Sequence, residues 1–182
     1  MRKKLSIFGC TGSIGRTTLS LIDKENKDYS FYILTGYKNY KKIKHLIKTY
    51  SPKFFVIFDD RTYLKIKKQN LKKTKILNSR EYQSFKFKKS DVSILAIPGI
   101  AGLEPTLKAT KISKKILIAN KESVICGWNL IENLVKKHKV QVIPVDSEHF
   151  SINELTSVTI PKTTRRKTNE KGANSCWCAS SI

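Results

Sequence analysis

Leu5-Ser6-Ile7-Phe8 runs directly into Gly9-Cys10-Thr11-Gly12-Ser13-Ile14-Gly15. A short apolar run that ends in evenly spaced glycines predicts a strand, a tight turn and the start of a helix. Ile14, Leu19, Leu21 and Ile22 supply the apolar positions of that helix. Glycine lets a backbone approach a bound phosphate closely. A helix N-terminus adds free N–H groups and the positive end of its dipole. The unit therefore points to dinucleotide binding, with G-x-x-G-x-x-G spacing in place of the commoner G-x-G-x-x-G.

The chain beyond this loop keeps alternating. Phe31–Leu34 and Phe54–Ile57 are apolar enough for strands, and Ile43, Leu46 and Ile47 lie at helical spacing between them. A short helix is expected over Tyr63–Gln69 and a short strand over Thr74–Leu77. Strands are expected at Val92–Ile97, Lys115–Ala119 and Val140–Val145, with helices over Leu103–Thr110 and Val124–Lys137. Pro105 falls in the first turn of its helix, where proline is tolerated. This alternation predicts an α/β fold, a doubly wound, mostly parallel, Rossmann-like sheet. The strands read as apolar on both faces, as a sheet covered on both sides requires.

Composition narrows the partners. The chain has 36 Lys+Arg against 14 Asp+Glu, a formal charge of +22 over 182 residues. The excess is scattered along polar helix faces and comes with no nucleic-acid motif, so no nucleic-acid partner is expected. A basic α/β protein that binds nucleic acid without catalysis is kept as the alternative. No apolar run reaches the roughly 18 residues of a membrane span. The apolar stretch after Met1-Arg2-Lys3-Lys4 is too short for a signal peptide, so no membrane partner and a cytoplasmic location are expected. Cys10, Cys126, Cys176 and Cys178 lack zinc-site spacing and read as reduced thiols. Cys126 and Trp128 read as packing residues.

Two further features bear on chemistry. After the second strand the chain reads Thr35-Gly36-Tyr37-Lys38-Asn39. An NAD site places an acid there for the ribose 2′-hydroxyl, whereas Lys38 offers a cation to a 2′-phosphate and Asn39 a neutral amide. NADP(H) is therefore favoured over NAD, unless Lys38 is simply one more surface lysine. Asp146 and Glu148 lie two apart, just past the last expected strand. On an extended segment both carboxylates face one side and could reach one Mg²⁺ or Mn²⁺ ion. Taken alone, Asp146-Ser147-Glu148 also fits an acidic loop or helix cap.

Three more blocks accompany the glycine loop. They are Ala96-Ile97-Pro98-Gly99-Ile100-Ala101-Gly102-Leu103-Glu104-Pro105-Thr106, Ile118-Ala119-Asn120-Lys121-Glu122-Ser123 and Pro144-Val145-Asp146-Ser147-Glu148-His149. In order and spacing, the four blocks resemble the N-terminal half of the 1-deoxy-D-xylulose-5-phosphate reductoisomerases, over about residues 1–155. That family makes 2-C-methyl-D-erythritol 4-phosphate for non-mevalonate isoprenoid synthesis.

The resemblance implies NADPH contacts at Thr11, Gly12, Ser13, Ile14, Lys38, Asn39, Asn120 and Glu122. It implies substrate contacts at Lys121, Ser147 and Glu148, with Lys121 and Glu148 taking catalytic roles. It assigns the divalent metal, magnesium or manganese, to Asp146 and Glu148. His149 is read as structural. Tyr37 stands where many members carry a small residue. The implied substrate is a sugar phosphate, and full-length members are homodimers. A different NADP-dependent reductase, such as a semialdehyde dehydrogenase, would need a catalytic cysteine in a separate domain, and Cys126 has no suitable partner block.

The domain expectation follows. Residues 1–150 form an NADPH-binding Rossmann-like domain. Residues 151–182 begin a catalytic domain that is otherwise missing, then continue as an irregular, non-native tail from a truncated or frameshifted gene. Leu, Phe and Tyr are absent from Thr156–Ile182. Such a chain is expected to bind NADPH with little or no turnover.

Overall fold

A computed structural model describes residues 2–23, 28–69, 71 and 73–145. The expected tail and the Asp146–His149 block lie outside the described residues.

Among the described residues, seven parallel strands form one sheet. In chain order the elements are β1 (Lys3–Phe8), α1 (Ser13–Asp23), β2 (Tyr29–Gly36), α2 (Tyr40–Tyr50), β3 (Phe54–Ile57), α3 (Asp60–Lys67) and β4 (Lys75–Asn78). They continue as α4 (Ser79–Ser84), β5 (Ser90–Leu95), a 3₁₀ turn (Ile100–Gly102), α5 (Leu103–Lys111), β6 (Ser113–Ile118), α6 (Lys121–His138) and β7 (Gln141–Pro144). The strand order is β4-β3-β2-β1-β5-β6-β7. The chain therefore winds outward from β1 to β4, returns beside β1 as β5, and winds out the other way. The doubly wound expectation holds, and the crevice between β1 and β5 is its topological switch point.

Alternation in β1 divides the core between the two faces of the sheet. Leu5 and Ile7 join Leu19, Ile43, Ile47, Phe55 and Ile66 under α1, α2 and α3. Phe8 joins Val56, Leu77, Leu95, Ala109 and Ile116 on the other face. Two details depart from a plain alternating sheet. The β1–β2 register shifts between Leu5 and Ser6, so Leu5 pairs with Phe31 but Ser6 with Ile33. Tyr32 is thereby the extra residue of a bulge. Tyr32 and Ile33 both belong to the second cluster, and the Tyr32 hydroxyl accepts a hydrogen bond from the Lys88 backbone N–H at 3.0 Å.

The edge strands also differ from expectation. All four residues of β3 are buried, but β4 and β7 are only partly covered. Double-sided burial belongs to strands with neighbours on both sides, and an outermost strand keeps contact with water.

β5 and β6 each begin two residues earlier than the apolar runs suggest. Ser90, Ser93 and Ser113 are fully buried there. Their hydroxyls satisfy one another, with Ser90–Ser93 at 2.8 Å and Ser93–Ser113 at 2.7 Å. The Ser113 hydroxyl also donates to the Ala109 carbonyl at 2.6 Å. α4, which the apolar period misses, is nucleated by a capping box. Asn78 accepts from the Glu81 N–H, and Glu81 accepts from the Asn78 N–H.

Phe55 sits at the centre of the first cluster with no exposed surface. Phe55→Ala is expected to cost about 3–5 kcal/mol of stability. Urea unfolding should show a lower midpoint with an unchanged slope.

Candidate cofactor site

Backbone pairing continues one step beyond the strands. Cys10 N–H donates to Thr35 at 3.0 Å, Ala96 to Phe8 at 2.9 Å, Ala119 to Leu95 at 3.0 Å and Val145 to Ile118 at 2.9 Å. The loops after β1, β2, β5 and β6, and the residue after β7, therefore start side by side along the carboxyl edge. The sequence blocks singled out above begin at this edge.

The glycine loop is the tightest part. Gly9 has φ +87°, and a side chain there would bring its Cβ within 2.7 Å of the Ala96 carbonyl oxygen. Gly15 packs onto the Gly9 carbonyl and the Cys10 backbone too closely for any Cβ. Gly12 closes the turn by donating to Gly9 at 3.1 Å and receives Arg16 N–H at 3.1 Å. α1 follows with no acid in its first turn. Thr11 and Gly12 are half-buried, and Ser13 and Ile14 are exposed. A helix start with exposed residues and no acid to answer its dipole suits a diphosphate.

Thr35, which the sequence pattern did not single out, holds this loop in place. Its hydroxyl accepts the Gly9 N–H at 2.8 Å, and its carbonyl accepts the Cys10 thiol at 3.0 Å. Thr35 has no exposed surface. The available signal was a hydroxyl residue continuing the apolar run Phe31–Leu34, one step before Gly36. Burial pushes the Cys10 thiol up to about 12. That thiol is packing, not a nucleophile.

The loop after β2 carries Tyr37, Lys38 and Asn39, all exposed. The Lys38 ammonium lies 6.0 Å from the centroid of the Tyr37 ring. Asn39 is the N-cap of α2, its side chain accepting the Lys42 N–H at 3.1 Å. The Lys38 carbonyl accepts the Thr62 hydroxyl at 3.3 Å, which ties the loop to α3. Asp59 caps α3 through the Thr62 N–H at 2.8 Å. Hydrogen bonds from Thr62 hold its carboxyl below the usual range, and the Arg61 and Lys38 charges act in the same direction.

Asn120 joins two other loops. It is 3% exposed and caps α6 by accepting the Ser123 N–H at 2.8 Å. Its amide nitrogen donates to the Ile97 carbonyl and, at 2.9 Å, to the Gly99 carbonyl. The Asn120 side chain is thus engaged within the chain, as a clamp between the β5–α5 and β6–α6 loops. Lys121 is exposed and Glu122 half-buried in the first turn of α6.

Cys126 corrects an expectation. It is exposed on α6 instead of packed, because α6 turns Ser123, Gly127 and Ile131 inward. Trp128, on the same helix, is half-buried. Asp146, Ser147 and Glu148 lie outside the described residues. Among the described residues no group of three or more His, Cys, Asp or Glu side chains could hold a metal ion.

The sequence model of 1-deoxy-D-xylulose 5-phosphate reductoisomerase matches residues 5–127. The chain belongs to this family. The reductoisomerase of Pelagibacter ubique (strain HTCC1062) is 45% identical over 158 residues, covering 84% of this chain and 40% of that protein. The Wolbachia pipientis wMel reductoisomerase is 35% identical over 154 residues, covering 84% of this chain and 40% of that protein. Among solved structures, the Zymomonas mobilis reductoisomerase in complex with NADPH superposes with a TM-score of 0.77 at 30% identity. That match covers 85% of this chain and 41% of that one. A reductoisomerase in complex with magnesium gives 0.75 at 32% identity, covering 85% of this chain and 40% of that one. The chain thus spans about 40% of the length of the curated relatives it matches.

Two outcomes test the latch. Thr35→Val keeps the side-chain shape but leaves the Gly9 N–H without its acceptor, so it should cost about 1–3 kcal/mol in chemical denaturation. In the native chain, mass-mapped alkylation at pH 8 should label Cys126 and spare Cys10. Labelling of Cys10 should appear in denaturant, and should quicken in the folded Thr35→Val variant.

Proposed function

We propose that this chain is the NADPH-binding portion of a 1-deoxy-D-xylulose 5-phosphate reductoisomerase. In its full-length context it would serve the NADPH-dependent conversion of 1-deoxy-D-xylulose 5-phosphate to 2-C-methyl-D-erythritol 4-phosphate in isoprenoid synthesis. The observation that carries this is the glycine loop latched at the β1–β5 switch point, with an acid-free helix start beside it.

In this reading the backbone N–H groups of Thr11, Ser13 and Ile14 face the diphosphate, and Gly12, whose own N–H is taken by the Gly9 carbonyl, lets it approach closely. Lys38 answers the 2′-phosphate, and the Asn39 amide lies beside it. Asn120 holds the loop that lines the nicotinamide side, with Glu122 next to it. Bound NADPH supplies the hydride. The Lys121 ammonium orients an oxygen of the sugar phosphate. Asp146 and Glu148 are assigned to a magnesium or manganese ion, and Ser147 and Glu148 to the substrate. Residues 1–150 act as the cofactor domain, and residues 151–182 as the start of the next domain followed by a non-native tail. The assembled enzyme is a homodimer.

Among the described residues no helix is long and apolar enough to cross a membrane. A cytoplasmic location with no membrane partner belongs to the same proposal.

Binding decides the proposal. NADPH should saturate the chain in a fluorescence titration, and failure of both NADPH and NADH to bind at millimolar concentration would overturn it. Lys38→Ala should weaken NADPH roughly ten-fold or more, the worth of a charged hydrogen bond, and leave NADH nearly unchanged. Equal loss for both cofactors removes the 2′-phosphate role from Lys38.

A further inference from the structure

A groove of about 530 Å³ opens at the other end of the sheet, beside the amino ends of β3 and β4. It is lined by Lys53, just before β3, by Lys73 and Lys75 around the start of β4, and by Lys86 and Lys88 on the chain leading to β5. Lysine supplies five of its nine lining residues, against 30 of 182 residues in the whole chain. No carboxylate lines it. The general abundance of lysine does not account for that concentration.

Two of the five ammonium groups lie over aromatic rings. Lys75 lies 4.5 Å from the centroid of the Phe85 ring, and Lys53 lies 5.8 Å from that of Phe54. Phe54, Phe85 and Phe87 pack on one another at 4.8–5.2 Å between centroids, which makes the floor rigid. Tyr32, the bulge residue of β2, completes the floor, and its hydroxyl anchors the Lys88 backbone. Among the described residues none of the five lysines forms an ion pair. Glu81 acts on Lys75 through its charge, but its carboxylate is engaged by Lys67 at 3.8 Å, by the Tyr63 hydroxyl at 3.0 Å and by the Asn78 N–H at 2.9 Å. Cation–π contact positions an ammonium without neutralising it. Like charges gathered on a concave wall repel one another and raise the local potential for anions.

We propose that this groove is an anion site, separate from the cofactor edge, that takes a compact polyphosphate. The ligand carries two or more adjacent phosphoryl groups. Several ammoniums around one groove match a multiply charged anion better than a single phosphate, and the volume lies within the range of small-ligand pockets. Half-buried Phe85 offers an apolar surface to an organic substituent on the last phosphate. The groove ends at the outermost strand, which gives no continuous track for a nucleic-acid strand.

Calorimetric titration of the full chain with inorganic tripolyphosphate, at about 0.15 M salt where diffuse surface charge is screened, tests this. Saturable one-to-one binding is expected, with orthophosphate at least about ten-fold weaker. ATP binding more tightly than tripolyphosphate would identify a phosphate ester as the ligand, and the reverse order a free polyphosphate; both support the site.

Lys75→Gln combined with Lys86→Gln should weaken tripolyphosphate at least about ten-fold. A control pair of equal charge loss on other surfaces, Lys65→Gln with Lys111→Gln, should change it less than about two-fold. Circular dichroism checks that both pairs keep the fold. If the first pair does not, Lys86→Gln alone must still weaken binding by about three-fold or more. The proposal is overturned by no saturable binding, by equal loss in the control pair, or by an equal or larger loss in Lys38→Ala at the cofactor edge. An oligonucleotide whose affinity keeps rising with length beyond the groove also overturns it.

Discussion

The glycine loop is held where it stands by hydrogen bonds to Thr35. Gly9 is pressed against Ala96 in a left-handed conformation, and Gly15 is pressed against Gly9. Close backbone packing at the glycines brings little side-chain burial to stabilise it, Cys10 being the buried side chain of the turn. Its compensation comes from hydrogen bonds to a neighbouring strand. Thr35 supplies them from both its hydroxyl and its carbonyl, on a residue with no exposed surface. The latch works because β1 and β2 are parallel neighbours whose carboxyl ends lie level. The register shift between Leu5 and Ser6 contributes to that, since it sets how far β2 has advanced when it reaches Thr35. A bulge low in the sheet thus bears on the geometry of a loop at its top.

The fold was legible where burial imposes a period. Phe54–Ile57 is apolar on both faces, and its structure is a central strand with all four residues buried. The serine starts of β5 and β6 were not legible, because a buried serine looks like a solvated one until its partners are known. Ser90, Ser93 and Ser113 come from two strands, and only the tertiary pairing joins their hydroxyls. α4 depends on a local signal that hydrophobic period does not capture, the Asn78–Glu81 capping box. Within the candidate site, the glycine loop announces itself by residue type. Thr35 and the clamp formed by Asn120 do not, since each acts through a contact more than twenty residues away.

Charge is distributed along the same lines. With 36 basic and 14 acidic residues, most lysines have no carboxylate available to them. The chain partly meets this by laying ammonium groups over aromatic rings, as with Lys53 over Phe54 at 5.8 Å and Lys75 over Phe85 at 4.5 Å. Such contacts order the side chain and leave its charge available to an outside anion. A +22 chain can therefore keep discrete anion-attracting sites instead of a uniform positive surface. The carboxyl edge gains its potential from a helix dipole and Lys38. The opposite end gains its potential from lysine density alone.

Asn120 connects the structural and chemical parts of the carboxyl edge. One carboxamide caps α6 through Ser123 and grips the Ile97 and Gly99 carbonyls of the preceding loop. α6 begins at Lys121, so the position of that ammonium is set by a helix start that Asn120 pins to the β5–α5 loop. Two hydrogen bonds on one side chain thus join Gly99 to the first turn of α6. A planar carboxamide is suited to this because its donor and acceptor are fixed relative to each other, so one group can hold both loops.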